Sequence, residues 1–255
     1  MVFRTLIGLT YFIIVLILLI PVWCIEWIIG KSHPDAKDTS SLWLIQNIVF
    51  RPLLWIIGAH ITVYGRENIP DNQPVVYMAN HRSMLDCIVL YPLFKGLCGV
   101  VSKIEVKKIP FVKYWMDNLY CLYFDRSDMR EGLKMILTGI EYLKKGVSIC
   151  IMPEGTRSHT DEMLPFKEGS MKLATKSGCP IIPVAITGSA DLFENHKPWF
   201  GPADITVTFG KPIDVKALSR DQQKNLGAHV RDVVGAMLDG GPGHMVEFGE
   251  VVKAE

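Results

Sequence analysis

The sequence predicts an α/β fold with a mostly parallel central sheet flanked by helices, preceded by an N-terminal apolar helical hairpin. Two observations carry this prediction. From about residue 60, short β-rich runs alternate with helical patterns, which is typical of a parallel sheet covered by helices. Before that point, two apolar stretches flank one polar turn. We therefore divide the chain into a membrane-associating hairpin (1–59), an α/β domain (60–239) and a flexible, glycine-rich C-terminal tail (240–255).

The N-terminal hairpin is expected to associate with a membrane. Residues 5–25 carry no charge, and 21 helical residues are long enough to cross a hydrocarbon core of ~30 Å. No small-residue cleavage site follows them, which favours a retained segment over a cleaved signal. The second stretch, 41–59, contains Arg51, and a mid-helix arginine costs about 3 kcal/mol on insertion. Three arrangements stay open: two spans, insertion into one leaflet with Arg51 reaching the headgroups, or a helix pair packed on the α/β domain.

The α/β domain is predicted from runs of β-branched and apolar residues and from apolar positions at helical spacing. The predicted strands are 60–64, 75–78, 98–101, 120–124, 147–152, 181–186 and 205–209. The predicted helices are 83–94, 110–118, 127–145 and 167–177, with a final helix that Ser219 caps and that runs through Leu238.

The composition excludes several classes of function. Lys and Arg number 27 against 26 Asp and Glu, so a general nucleic-acid partner is not expected. Charged residues make up only 21% of the chain, which fits a membrane-facing part. The six cysteines form no C-x-x-C pair, so we expect reduced thiols in a protein that faces the cytosol. The motifs G-x-S-x-G, G-x-x-x-x-G-K-[ST], H-E-x-x-H and G-x-G-x-x-G do not occur.

A histidine and an aspartate follow the second predicted strand, in the segment Asn80-His-Arg-Ser-Met-Leu-Asp86. His81 lies where the strand ends and a helix begins, which is where clefts form in open α/β sheets. Asp86 can fold back onto the imidazole, fix its tautomer and leave the other nitrogen free as a base. The pair then resembles a catalytic triad whose hydroxyl comes from the substrate. The plain alternative is a strand-end histidine beside a helix-capping aspartate.

An anion-binding loop is predicted after the fifth strand, in the segment Pro153-Glu-Gly-Thr-Arg-Ser158. Gly155 would let backbone N–H groups face an anion, and Arg157 could hold a phosphate. Glu154 could orient Arg157 or a substrate hydroxyl. The plain alternative is a surface loop with an ion pair of little energetic value.

Further cations follow two other strands. Arg126 follows the fourth strand, and Lys103 opens a cationic cluster with Lys107, Lys108 and Lys113. Taken singly, these residues are typical of a solvated face. Because parallel strands end at one edge of a sheet, however, we expect them to lie near His81.

Together these segments resemble the motif blocks of the glycerolipid acyltransferases. The matches are N-H-x-S-x-x-D at 80–86, an arginine block at 125–126, P-E-G-T-R-S at 153–158, F-K-x-G at 166–169 and a proline-bearing block at 179–184. Order and spacing agree over about residues 60–215. The chain is most similar to the 1-acyl-sn-glycerol-3-phosphate acyltransferases, and the resemblance implies their glycerol-3-phosphate acyltransferase-like α/β fold.

The resemblance also implies a role for each matching residue. His81 would be the general base and Asp86 its partner, while Pro183 would wall the acyl site. The substrate phosphate would be held by Lys103, Arg126, Glu154, Gly155, Thr156 and Arg157. The chain departs from the family at Tyr120, which is commonly Gly, and at Tyr123, which is commonly Phe, and these differences concern the acceptor pocket.

The resemblance implies transfer of a fatty acyl group from a thioester to the sn-2 hydroxyl of lysophosphatidic acid, giving phosphatidic acid. The donor would be acyl-CoA or acyl-carrier protein, with no metal or other cofactor. We expect the chain at the cytoplasmic membrane, or at the endoplasmic reticulum membrane in a eukaryote, with its site facing the cytosol. Three alternatives stay open: another lyso-lipid acceptor, a non-catalytic lipid-binding membrane protein, or a metal phosphohydrolase using His81, Asp86 and Glu154.

Overall fold

The fold is built on a seven-stranded sheet. The structure is a computed structural model that describes residues 1–125, 128–160, 162–241, 244–247 and 250–253. The strands are β1 (Ala59–Tyr64), β2 (Val76–Ala79), β3 (Cys98–Lys103), β4 (Leu122–Phe124), β5 (Ser148–Ile151), β6 (Ile181–Thr187) and β7 (Ala203–Phe209). Their order is β1-β7-β6-β2-β5-β3-β4, and among the described strands of this sheet β6 and β7 form the one antiparallel pair. The predicted mostly parallel sheet is confirmed.

Helices precede the sheet and cover both of its faces. They are α1 (Val2–Ile29), α2 (Pro34–Leu44), α3 (Arg51–Ile57), α4 (Asp86–Leu90), α5 (Pro110–Asn118), α6 (Met129–Lys144), α7 (Glu168–Ser177), α8 (Arg220–Lys224) and α9 (Leu226–Asp239). A π-helical turn, Ile45–Phe50, joins α2 to α3.

The sheet is buried on both faces. Within β2, Tyr77 and Ala79 pack into a cluster with the hairpin helices and α4, whereas Val76 and Met78 pack against α6, α7 and α9. None of the four has any exposed surface. Burial on two faces explains why the central strands are continuous apolar runs in the sequence.

The site edge of the sheet is where β2 to β6 end, because these five strands run parallel. Asn80 extends the ladder there: its Nδ2 donates to the Ile186 carbonyl at 3.0 Å and its Oδ1 accepts from the Ile186 N–H at 2.8 Å. A buried side-chain amide that satisfies both backbone groups fixes the chain just before His81.

The hairpin packs on the α/β domain with one side and leaves an apolar surface on the other. Val15, Leu19 and Leu54 are buried in the shared core, whereas Phe3 and Trp55 are 75% and 80% exposed. The two helical stretches Val2–Ile29 and Pro34–Ile57 are long and apolar enough to cross a membrane. The structure also shows the third expected arrangement, a packed helix pair, so packing and membrane contact are compatible.

Arg51 is bound to protein, since its Nη2 donates to the Pro92 carbonyl at 2.9 Å. That bond ties the start of α3 to the loop after α4. The guanidinium of Arg51 therefore binds a backbone carbonyl of the protein. In the expected one-leaflet arrangement it would reach the lipid headgroups instead.

A second contact between the hairpin and the α/β domain involves Tyr120. Its φ of 57° lies in the left-handed region that favours glycine, which agrees with the glycine that the resemblance implies there. The Tyr120 hydroxyl donates to Asp38 Oδ2 of α2 at 2.5 Å, and its ring packs edge-on against Tyr142 at 5.1 Å. These contacts offset the backbone strain, which costs about 1–3 kcal/mol.

The last predicted helix and the tail differ from expectation. Ser219 does cap a helix, through a capping box with Gln222, but the helix breaks at Asn225 into α8 and α9. In the tail that composition predicts to be flexible, residues 244–247 and 250–253 form an antiparallel hairpin, β8 and β9. Each run places two β-branched or apolar residues between polar ends, and β-branched residues favour strands.

Candidate active site

The imidazole of His81 and the carboxylate of Asp86 form the predicted pair. His81 Nδ1 lies 2.8 Å from Asp86 Oδ2, which also accepts the N–H groups of Arg82 at 2.8 Å and Ser83 at 2.9 Å. The five-residue spacing works because Asp86 is the first residue of α4 and the preceding loop turns around its carboxylate. The Asp86 side chain is fully buried, whereas that of His81 is 18% exposed.

This contact assigns the two ring nitrogens. An ionised carboxylate only accepts, so Nδ1 of His81 carries the proton and Nε2 is left as the basic nitrogen. The exposed part of the ring can then meet a hydroxyl group. The arrangement can do general-base chemistry on a substrate that enters from the site edge.

The side chain of Glu154 supports the loop that carries His81 (residues 80–85), which we call the histidine loop. Its Oε1 accepts the His81 N–H at 2.7 Å, its Oε2 accepts the Leu164 N–H at 2.8 Å, and the residue is 3% exposed. Burial raises the pKa of the carboxyl above its usual 4.5, although the two backbone hydrogen bonds act in the opposite direction. The expectation that Glu154 orients Arg157 is wrong, because both of its oxygens hold backbone. A direct contact with a substrate phosphate stays a prediction.

Arg157 is held by Glu194, a residue that lies outside the motifs predicted from the sequence. Arg157 Nη1 lies 2.7 Å from Glu194 Oε1, which also accepts the Met84 N–H at 3.0 Å, and Glu194 Oε2 accepts the Ser83 hydroxyl at 2.5 Å. Burial opposes ionisation of Glu194, but hydrogen bonds from Ser83, Met84 and Arg157 outweigh it and lower the pKa below its usual 4.5. No local pattern marked Glu194, which lies on a short 3₁₀ turn between β6 and β7.

Gly155 differs in part from its predicted role. Its φ of 71° is in the left-handed region, but its own N–H closes a turn on the Met152 carbonyl at 3.0 Å and so does not face an anion. A β-carbon at this position would lie 2.6 Å from Lys167 Nζ, so the ammonium lies across the glycine. Lys167 belongs to the F-K-x-G match, which by itself indicates no contact with Gly155. Thr156 lies between Gly155 and Arg157 in this loop.

The other predicted cations are distributed unevenly. Lys103 ends β3 at the site edge, while Arg126 lies outside the described residues. Lys107 Nζ lies 4.6 Å from the centre of the Tyr123 ring, and Lys113 pairs with Asp117. The cluster is therefore partly engaged by its own neighbours.

Pro183 is buried in the middle of β6, opposite Met78 of β2. Its carbonyl accepts the Gly210 N–H at 2.8 Å. A β-carbon on Gly210 would lie 2.7 Å from the Pro183 ring and 3.0 Å from the sulfur of Met237, so this region is tightly packed core. The assignment of Pro183 to an acyl site stays a prediction.

The donor set of the metal-hydrolase alternative is engaged in hydrogen bonds, since Asp86 and Glu154 accept from the backbone of the histidine loop. Across residues 1–125, 128–160 and 162–241, no three His, Cys, Asp or Glu side chains are grouped so that they could hold a metal ion. The contact between His81 and Asp86 is instead that of a general base and its partner.

Glu154→Gln is expected to destabilise the fold by about 1–3 kcal/mol, because an amide keeps one acceptor and leaves one buried backbone N–H unpaired. Turnover should fall as well, since that backbone carries His81. Thermal unfolding in detergent and initial rates measure the two effects. Glu168→Gln is the control, because Glu168 accepts one backbone N–H, from Gly227, which an amide oxygen can replace. Wild-type unfolding and turnover in Glu154→Gln would contradict this assignment.

Comparison with known proteins agrees with this geometry. A family model described as Acyltransferase matches residues 60–187. The 1-acyl-sn-glycerol-3-phosphate acyltransferase of Saccharomyces cerevisiae is 31% identical over 208 residues, which cover 80% of this chain and 66% of that protein, just under two thirds. The Borreliella burgdorferi protein of the same name is 30% identical over 186 residues, 73% of this chain and 74% of its own length.

The fold also matches a solved structure. The crystal structure of the 1-acyl-sn-glycerophosphate (LPA) acyltransferase PlsC from Thermotoga maritima superposes with a TM-score of 0.77 at 26% identity. The superposition covers 93% of this chain and 96% of PlsC. The site geometry, the motif blocks and these matches all agree. The chain belongs to the acyltransferase family.

Proposed function

We propose that this chain transfers a fatty acyl group from an acyl thioester to the sn-2 hydroxyl of lysophosphatidic acid, giving phosphatidic acid. The observation that carries the proposal is the contact between the buried carboxylate of Asp86 and Nδ1 of His81, whose ring is partly exposed. Arg157 lies in the loop that packs against the loop carrying His81. The two loops are in direct contact, because the Ser158 N–H donates to the His81 carbonyl at 2.9 Å. Relatives that carry this activity in their names support the same conclusion.

The reaction follows from the basic nitrogen. Nε2 of His81 takes the proton from the sn-2 hydroxyl as its oxygen attacks the thioester carbonyl carbon. The tetrahedral intermediate collapses, the C–S bond breaks, and the imidazolium returns the proton to the leaving thiolate. Asp86 holds the ring and stabilises the positive charge that develops on it.

The phosphate of the acceptor is assigned to the cations at the site edge. Arg157 offers N–H groups beyond the one that Glu194 holds, and Lys167 brings an ammonium to Gly155. In the described part of the chain, Lys167 forms no ion pair that would neutralise it. Lys103 and Arg126 remain in this proposal as further phosphate ligands.

The hairpin would place this site at a lipid surface. Its outer side carries the exposed aromatic residues Phe3, Trp43 and Trp55, and aromatic rings favour the membrane interface. An acceptor that lies in the bilayer would then reach the site without leaving the membrane surface. We assign the chain to the cytoplasmic or endoplasmic reticulum membrane, with the site on the cytosolic side.

The experiment that tests the function is product analysis by mass spectrometry. The purified full chain is offered mixed lysophospholipid acceptors with acyl-CoA or with acyl-carrier protein. Phosphatidic acid as the main product supports the proposal, and the active donor identifies the thioester. Acylation of other lysophospholipids alone, or no acylated product at all, would overturn it. Release of free phosphate that EDTA abolishes would instead indicate a metal phosphohydrolase.

Arg157→Ala is expected to raise the KM for lysophosphatidic acid by about 10- to 100-fold, since a charge-assisted hydrogen bond contributes about 1.5–3 kcal/mol. An uncharged acceptor, monoacylglycerol of the same chain length, should show little change in KM. Arg66→Ala is the control, because Arg66 is exposed and follows β1 at the opposite edge of the sheet. Equal losses with both acceptors would show that Arg157 does not bind the phosphate.

A further inference from the structure

We propose that Glu194 is a positioning residue that joins the headgroup-binding Arg157 to the loop carrying His81 and Asp86. The inference rests on the proposed function, because it concerns how the same site reads the acceptor phosphate. Glu194 lies 113 positions after His81 in the chain and outside every motif block of the sequence analysis. It reaches the site from the connection between β6 and β7.

Glu194 serves three donors with two oxygens. Its Oε1 accepts from Arg157 Nη1 at 2.7 Å and from the Met84 N–H at 3.0 Å, and its Oε2 accepts from the Ser83 hydroxyl at 2.5 Å. The Glu194 side chain is 9% exposed, and that of Arg157 is 30% exposed. A carboxylate this buried needs a charged partner and hydrogen bonds to be stable, and Glu194 has both.

Ser83 continues this network to the catalytic pair. Its hydroxyl donates to Glu194 and accepts the Leu85 N–H at 3.1 Å, while its own backbone N–H donates to Asp86 Oδ2 at 2.9 Å. Asp86 in turn holds His81 Nδ1. An unbroken path of hydrogen bonds and one backbone segment therefore runs from the guanidinium to the imidazole.

Two consequences follow for the reaction. Without Glu194, the partly exposed guanidinium of Arg157 would be free to adopt other rotamers, so the phosphate would be held less well. Ser83 and Met84 would also lose the hydrogen bonds that Glu194 accepts from them. The imidazole of His81 would therefore be held less firmly against the substrate hydroxyl. A small misplacement of reacting groups lowers kcat strongly, because catalysis depends on the attack geometry.

The test compares Glu194→Ala with Glu194→Gln. Glutamine keeps the Oε1 acceptor for Arg157 and Met84, and Ser83 can rotate to accept from the new amide, so geometry is retained without the charge. We expect Glu194→Ala to lower kcat/KM for lysophosphatidic acid by about 30-fold or more and that for monoacylglycerol by about threefold, since only the former needs Arg157 in place. Glu194→Gln should recover most of the loss.

Asp191→Ala is the matched control. Asp191 is an exposed acidic residue on the same connection whose carboxylate contacts Asn195. This variant should behave as wild type with both acceptors. A merely structural role for Glu194 would lower both acceptors equally and shift the thermal unfolding midpoint, and that result would overturn the proposal.

The double variant Arg157→Ala/Glu194→Ala makes the test independent of folding losses. If Glu194 acts through Arg157, removing it from the Arg157→Ala protein should not raise the KM for lysophosphatidic acid further. Fully additive effects would contradict the inference. A wild-type chain that makes no phosphatidic acid would defeat the proposed function instead, so the two failures are distinguishable.

Discussion

His81→Ala is expected to lower kcat for acyl transfer by about 10²- to 10⁴-fold, the usual contribution of a positioned general base. The hydroxyl of the acceptor is too weakly acidic to attack a thioester unaided, and Nε2 of His81 is the basic nitrogen that the Asp86 contact leaves open. The KM for lysophosphatidic acid should change little, because the phosphate contacts come from Arg157 and the neighbouring lysines. Initial rates at saturating acceptor, with purified full chain in detergent, measure the effect.

A second His–Asp pair in the chain provides the control. His60 Nδ1 lies 3.1 Å from Asp204 Oδ1, but these side chains are 73% and 94% exposed, on strands β1 and β7. Water and salt screen the electrostatic interaction in such an exposed pair. The imidazole ring is therefore neither fixed in orientation nor shielded from solvent. His60→Ala should therefore keep full turnover. Near-normal turnover by a folded His81→Ala protein would end the claim that this imidazole is the base.

The strands were predictable because each is a short apolar run bounded by turn residues. The predicted strand 181–186, for example, corresponds to β6 (Ile181–Thr187). The predicted strand at 120–124 begins two residues later, since the positive φ of Tyr120 cannot belong to a strand. The order of the strands depends on contacts between distant segments, and the antiparallel position of β7 had no local signal.

Local hydrogen bonds explain why the predicted helix 83–94 is shorter in the structure. The backbone N–H groups of Ser83 and Met84 donate to Asp86 and Glu194, so this segment is a loop instead of a helical turn. The α-helix covers only Asp86–Leu90, and a 3₁₀ turn follows at Tyr91–Leu93. Helical periodicity therefore predicts too long a helix in the segment that contains the catalytic motif, because the site geometry overrides local propensity there.

The candidate site was predictable where one motif supplies both partners. His81 and Asp86 lie five residues apart, and their contact is the predicted one. The roles of Glu154 and Glu194 were hidden because their partners are backbone N–H groups or residues far away in the chain. Sequence patterns show side chains but not the backbone groups that a fold leaves to be satisfied.

Asp86→Asn is expected to lower kcat by about 10²- to 10³-fold while the fold is retained, because one preorganised charge beside the developing imidazolium is lost. Three donors converge on Asp86 Oδ2: the His81 ring, the Arg82 N–H and the Ser83 N–H. An asparagine would turn its carbonyl oxygen toward all three, which keeps the ring tautomer. Its NH₂ group would take the place of Oδ1, which is buried and has no hydrogen-bond partner.

Asp86→Ala separates this electrostatic effect from a structural one. Alanine leaves two buried backbone N–H groups unpaired, at about 1–3 kcal/mol each, so we expect a lower unfolding midpoint in addition to a loss of turnover similar to that of His81→Ala. Asp204→Asn, in the exposed pair, should match wild type in both measurements. Asp86→Asn turnover equal to wild type would show that the carboxylate charge is not needed. Turnover and unfolding as poor as in Asp86→Ala would show instead that the amide cannot satisfy the loop, and that Asp86 acts mainly by holding its backbone.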